Sequence, residues 1–155
     1  QIRKDCEAMT VKKVICLVTG GAGFIGSHVV EALLRRGYVV RVLDNLSTGK
    51  RSNLEGMKGN LDFQKGDLRR ERDVTKAVRG VRYILHVGAN RAVLRSVDNP
   101  LETNDVNVTG TLRLLVAARN AKVKRLVGIW PAIFYHYSFP FIRFWFTVML
   151  SFFID

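Results

Sequence analysis

Short apolar runs alternate with apolar residues at helical spacing along most of the chain. Val14–Val18 is a β-branched run that ends in glycines, which predicts a buried parallel strand. Ile25, Val29, Leu33 and Leu34 then repeat at helical spacing and predict a helix over Phe24–Arg36. Gly37 ends it, with Arg35 and Arg36 in the last turn, where the helix dipole favours cations. Val39–Leu43 reads as a second strand, Leu61–Phe63 as the start of a weaker third that ends by Asp67. A short helix over Arg72–Val78 and a fourth strand over Val81–Val87 follow. Pro100 precedes a long helical stretch with Val106, Leu112, Leu115, Val116 and Ala118 as its apolar positions, and Arg125–Ile129 is expected as a fifth strand. The segment Asp44–Asn60, rich in Gly, Ser, Asn and Lys, reads as a loop. This alternation implies an α/β fold with a doubly wound parallel sheet of about five strands, in the order 3-2-1-4-5.

The pattern breaks after Arg125. Residues 126–154 hold one arginine, one histidine, two prolines and no acid, together with seven of the nine phenylalanines. The expected organisation is therefore an extension over residues 1–10, a domain over 11–127 and an apolar aromatic tail over 128–155. Three readings of the tail stand: unrelated residues appended by a truncation or frame change, a membrane tail, or an interaction segment. Against the second, Arg143 falls inside the stretch, and Pro131 and Pro140 interrupt it. Gln1-Ile2-Arg3-Lys4-Asp5 is polar and does not open a secretory signal.

Composition adds little that is specific. With 48% hydrophobic and 25% charged residues the chain reads as globular. Its formal net charge of +12 would fit nucleic acid, but the basic residues are scattered over turns and helix ends without interleaved aromatics, so no nucleic-acid partner is expected. Cys6 and Cys16 have no metal-type spacing, and Cys16 lies in an apolar run as a small core residue. No metal is expected, and nothing requires an oxidising compartment, which leaves a cytoplasmic location as the expectation.

The informative segment is Thr19-Gly20-Gly21-Ala22-Gly23-Phe24-Ile25-Gly26, between the first strand and the first helix. Gly20, Gly23 and Gly26 have G-x-x-G-x-x-G spacing: a tight turn, a close backbone approach to a pyrophosphate, and close helix–strand packing. The helix N-terminus offers free N–H groups and partial positive charge to phosphates. Asp44 ends the second strand 18 residues after Gly26, where a carboxylate can accept both hydroxyls of an adenosine ribose and repel a 2′-phosphate. Gly66-Asp67-Leu68 closes the third strand, where a side chain can reach an adenine edge. Together these predict a dinucleotide site of Rossmann type that prefers NAD to NADP.

The string Leu17-Val18-Thr19-Gly20-Gly21-Ala22-Gly23-Phe24-Ile25-Gly26-Ser27-His28 resembles the start of the extended short-chain dehydrogenases/reductases, in the NAD-dependent epimerase/dehydratase group that includes UDP-glucose 4-epimerase. Val42-Leu43-Asp44-Asn45-Leu46-Ser47-Thr48-Gly49-Lys50 resembles it too, as does the stretch from His86-Val87-Gly88-Ala89 through Ser96-Val97-Asp98-Asn99-Pro100 to Asn107-Val108-Thr109-Gly110-Thr111. The resemblance covers about residues 11–127. It implies that Gly20, Gly23, Phe24 and Ile25 line the pyrophosphate of NAD, with Gly26 counted among the cofactor-binding residues of the same turn, and that Asp44 and Asn45 hold the adenosine ribose. Asp67 and Leu68 would contact adenine, Val87, Gly88 and Ala89 would pass beneath the cofactor, and Arg91 and Asn107 would lie near the nicotinamide. Arg91 also reads as an exposed loop arginine, Asn107 as a helix residue bonded to a neighbouring strand, and His86 as a strand-end core histidine.

The resemblance further implies epimerisation or dehydration of a nucleotide-activated sugar, with a Tyr-x-x-x-Lys pair and a nearby Ser or Thr acting on the sugar hydroxyl. The lysine charge lowers the phenol pKa, and the spacing puts both groups on one helix face. Here the residues four after Tyr38, Tyr83, Tyr135 and Tyr137 are Val42, Val87, Phe139 and Phe141, so the pair is absent. Where the family has a serine-rich segment, this chain reads Gly128-Ile129-Trp130-Pro131-Ala132. The expectation is thus the cofactor half of such an enzyme, cut off before its catalytic residues and inactive alone, with no catalytic residue assigned. A non-catalytic NAD-binding or subunit-pairing module, and a protein tethered to a membrane by its tail, remain as rivals. A nucleotide-sugar partner in the whole family and a homo-oligomer belong to the same expectation.

Overall fold

The computed structural model describes residues 14–90 and 98–128. Five parallel strands form one sheet: β1 (Ile15–Thr19), β2 (Val39–Asp44), β3 (Leu61–Lys65), β4 (Tyr83–His86) and β5 (Arg125–Gly128). Their order is β3-β2-β1-β4-β5, as the alternation predicts. The helices are α1 (Phe24–Arg35), α2 (Glu71–Val78), α3 (Pro100–Asn104) and α4 (Gly110–Asn120). A π-helical turn, Asp105–Thr109, joins α3 to α4, and a 3-10 turn, Arg51–Leu54, interrupts the segment expected to be only loop.

The central strand β1 is buried on both faces, which its unbroken apolar run anticipates. On one face Leu17, Leu43 and Ile84 pack with Val74, Ala77 and Val78 of α2 and Leu114 and Ala118 of α4. On the other, Val18, Val40 and Val42 pack against Val30 and Leu34 of α1 and against Leu54. Register places Thr19 opposite both Leu43 and His86, so the carboxyl ends of β1, β2 and β4 open along one rim. The reversal of strand order beside β1 leaves a crevice there, the place where open α/β sheets take ligands.

Two helical faces differ from those expected. In α1 the buried positions are Gly26, Ser27, Val30 and Leu34, whereas Val29 and Leu33 are half-buried and Ile25 is exposed. The close approach of Gly26 to the loop turns the 26–30–34 face onto the sheet. In α4 the inward residues are Gly110, Thr111, Leu114 and Ala118, and Leu112 and Val116 face solvent. The rotation is set by a polar contact that periodicity does not see: the Thr111 hydroxyl lies 3.0 Å from His86 Nε2 on β4.

The 3-10 turn is drawn under the glycine loop by two bonds to one carbonyl. Lys50 N–H donates to Ala22 O at 3.0 Å and Asn53 Nδ2 donates to it at 2.8 Å. Leu54 is thereby buried in the α1-side core. Among the described residues no helix is long and apolar enough to cross a membrane. The tail readings fall on residues 129–155, outside the described residues.

Candidate functional site

The crevice at the rim is lined by Gly20, Gly23, Phe24, Ile25 and Gly26 from the first turn, Asp44 and Asn45 from the end of β2, Asp67, Leu68 and Arg69 after β3, and Val87, Gly88, Ala89 and Asn90 after β4. Of the fourteen residues singled out from sequence, it brings twelve together. Arg91 lies outside the described residues. Asn107 is placed just behind the crevice, where its Nδ2 donates to Asn90 O at 2.9 Å and its Oδ1 accepts from Asn90 N–H at 2.7 Å. It clasps the loop after β4; its partner is a loop residue, not the neighbouring strand that the alternative reading named, and it is half-buried.

The glycine loop is built by close backbone contacts. Gly20 has φ +68°, and a Cβ there would stand 2.6 Å from Gly88 Cα. At Gly26 a Cβ would stand 2.1 Å from Gly20 O, so any side chain separates the helix from the turn. Gly23 is different: among the described residues a Cβ there would meet Gly20 O alone, at 3.3 Å, and Gly23 lines the crevice.

The start of α1 supplies the electrostatics. The helical ladder begins with Ser27 N–H donating to Gly23 O at 3.0 Å, so the N–H groups of Phe24, Ile25 and Gly26 precede it. Gly23 provides no side-chain cap, and the first turn contains no acid. The positive end of the helix dipole is left uncompensated beside a bare backbone wall. A diphosphate fits both features: the uncapped amides would take its oxygens, and a side chain at position 23 would fill its space.

Asp44 is 8% exposed and held at both oxygens. Its Oδ2 accepts Ala22 N–H at 2.9 Å and its Oδ1 accepts Leu46 N–H at 2.8 Å. Each carboxylate oxygen retains a second acceptor direction. The next residue, Asn45, makes a turn through its Oδ1 to Ser47 N–H at 2.9 Å and extends its Nδ2 to Asp67 Oδ2 at 3.1 Å. Asp67 is bound still more tightly by Arg69, whose Nε and Nη2 donate to Oδ1 at 3.0 Å and Oδ2 at 2.8 Å. That side-chain pairing holds the Asp67 carboxyl far below the usual carboxylate range. Arg69 also lies 3.5 Å from Glu102 of α3, across the crevice mouth.

Below the rim runs a buried polar chain that sequence reading did not assemble. Thr111 donates its hydroxyl to Asn107 O at 2.7 Å, so it accepts from His86 Nε2 at 3.0 Å. His86 Nδ1 then accepts from the Thr19 hydroxyl at 2.6 Å, and Thr19 Oγ1 accepts Gly88 N–H at 3.2 Å. Burial pushes the His86 pKa down to about 4, and it is the neutral ring, protonated on Nε2, that gives the Thr19 hydroxyl proton an acceptor and sets these directions. His86 is the strand-end core histidine, tying β1, β4 and α4 beneath the crevice. Arg69 and Thr19 could have been noticed from sequence only as a cation two residues past an acid and a hydroxyl at a strand end.

Residues 16–130 match the NAD dependent epimerase/dehydratase family. UDP-glucose 4-epimerase of Mycolicibacterium smegmatis is 43% identical over 115 residues, which span 72% of this chain and 36% of that protein. The crystal structure of Thermus thermophilus UDP-glucose 4-epimerase in complex with NAD superposes with a TM-score of 0.68 at 45% identity, over 73% of this chain and 36% of that one. A dTDP-glucose 4,6-dehydratase from Streptomyces venezuelae, solved with NAD bound, gives 0.68 at 40% identity, over 73% of this chain and 38% of that one. This chain therefore spans rather more than a third of the length of these relatives. The matched residues include the glycine turn and the acid that ends β2, and the chain belongs to the NAD dependent epimerase/dehydratase family.

Proposed function

We propose that residues 11–127 are the NAD-binding part of a nucleotide-sugar epimerase or dehydratase, of the UDP-glucose 4-epimerase kind. The observation that carries this reading is the uncapped N-terminus of α1 facing the open side of Gly23, with the Asp44 carboxylate fixed beside it. In this reading the amides at Phe24, Ile25 and Gly26 hold the pyrophosphate. Asp44 and Asn45 take the adenosine ribose through the acceptor directions that the loop amides leave free. Adenine lies against Asp67 and Leu68, and Val87, Gly88 and Ala89 form the floor. Asn107 supports that floor through Asn90, and Arg91 is assigned to the nicotinamide side. NAD, when bound, would supply a hydride acceptor and donor, and the residues named here would hold and orient it.

The same proposal makes this 155-residue chain inactive alone, because it contains no Tyr-x-x-x-Lys pair to move the sugar hydroxyl proton. Saturable NAD binding without turnover of UDP-glucose or dTDP-glucose is the expected outcome. Measurable turnover would overturn the inactive reading, and absence of NAD binding would overturn the cofactor reading.

A further inference from the structure

The β4–β5 half of the sheet is covered on one side only. Towards α2 and α4, Ile84 and Leu126 pack with Leu114 and Ala118. On the opposite side α1 lies over β1 and β2, and among the described residues no second helix joins it there. Leu85 packs against that α1-side core and pairs in register with Val127, which carries the same pleat side out to the sheet edge. Leu85 and Tyr83 are half-buried, and Val127 is 49% exposed. Val29 and Leu33 of α1, which pack on the same core, are half-buried too. A parallel strand presents apolar side chains to both faces, so such sheets are stable when both are covered. A bare apolar strip beside a packed core marks a place where something docks.

We propose that residues 129–155 of this same chain are the occupant, lying over Leu85 and Val127. They follow directly on Gly128, the last residue of β5 and the neighbour of Val127. They hold seven of the nine phenylalanines and both tryptophans, with Arg143 and Asp155 as their only Lys, Arg, Asp or Glu residues. That composition suits an apolar strip and offers little to a charged partner. Pro131 lacks an N–H, which disfavours simple continuation of the β5 ladder and turns the chain off the strand. β4 and β5 have four residues each, a strip about 13 Å long, within easy reach of the segment. Tethering next to Val127 gives the segment an effective concentration on the order of millimolar at the strip, which favours it over a second copy in dilute solution.

Trp130 and Trp145 are the two tryptophans of the chain, so tryptophan emission from the full chain reports on this segment alone. Native emission should be blue-shifted, weakly quenched by acrylamide and independent of protein concentration. Val127→Lys puts a charge into the strip at a position already half open, and acrylamide quenching should rise at least about threefold while the melting temperature confirms a folded domain. Val116→Lys, at a 41% exposed position of α4 on the other side of the sheet, should leave quenching at the native level. Quenching unmoved by Val127→Lys, or raised as much by Val116→Lys, would overturn the docking. So would an emission maximum that shifts on dilution, because it would put the segment between copies. Native emission at the position of fully hydrated tryptophan would overturn it without recourse to either variant.

Discussion

Asp44 Oδ2 accepts the backbone N–H of Ala22 at 2.9 Å, so the acid that ends β2 and the glycine turn that follows β1 are one mechanical unit. The residue proposed to grip the ribose also holds the turn proposed to cradle the pyrophosphate. Asp44→Ala should accordingly weaken NAD binding by more than about tenfold and lower stability by about 1–3 kcal/mol, as two loop amides lose their acceptor. Calorimetry and urea unfolding separate the two effects. Unchanged affinity would remove the ribose role.

The three glycines make different predictions although their spacing treats them alike. Gly26→Ala puts a methyl 2.1 Å from Gly20 O and should destabilise the fold by several kcal/mol, about the upper range for a steric core change. Among the described residues Gly23→Ala meets Gly20 O alone, at 3.3 Å, a contact a few tenths of an ångström tight, so the melting temperature should stay within a few degrees of native while NAD binding falls sharply. Thermal melts beside binding isotherms check the contrast. Equal loss of stability in both variants would show that Gly23 serves packing and not a ligand.

His86 gives stability a pH dependence. Its native pKa is lowered from 6.5 to about 4 by burial, so on acidification the unfolded chain binds the proton first. The contribution is complete above pH 6.5 and is lost as pH falls towards 4, to a total of about 3 kcal/mol. Urea midpoints measured across that window should fall with decreasing pH, and His86→Gln should flatten the slope. A native profile that is flat there would contradict a neutral, enclosed imidazole.

Asn107→Ala removes both bonds to the Asn90 backbone and leaves that loop segment without its clasp. The Asn90 amide should exchange with deuterium at least about tenfold faster, and NAD should bind a few-fold more weakly without a change in overall fold. Exchange followed by NMR checks the first and calorimetry the second. An exchange rate equal to native would mean that other contacts hold the loop.

Much of this architecture can be read from residue patterns because its causes are local. The unbroken, β-branched Val14–Val18 run ending in glycines reads as a two-sided buried strand, and glycines at 20, 23 and 26 between a strand and a helix permit few other turns. The faces of α1 and α4 are less legible, because a backbone contact at Gly26 and a hydroxyl bond at Thr111 set their rotation, not the count of apolar positions. The crevice residues are legible as a set, yet their partners are not. Nothing in the order Asp67-Leu68-Arg69 says that the cation folds back onto the acid, nor does Asn107 reveal that its amide is consumed by Asn90. Such pairings arise only when loops from separate strands meet.

The most direct measurement is a calorimetric titration of NAD, and in parallel NADP, into the full chain shown by circular dichroism to be folded. The account predicts saturable one-site binding of NAD and binding of NADP weaker by at least about tenfold, since the added phosphate would face the Asp44 carboxylate. Heats that never saturate with NAD, or equal affinity for the two, would contradict it.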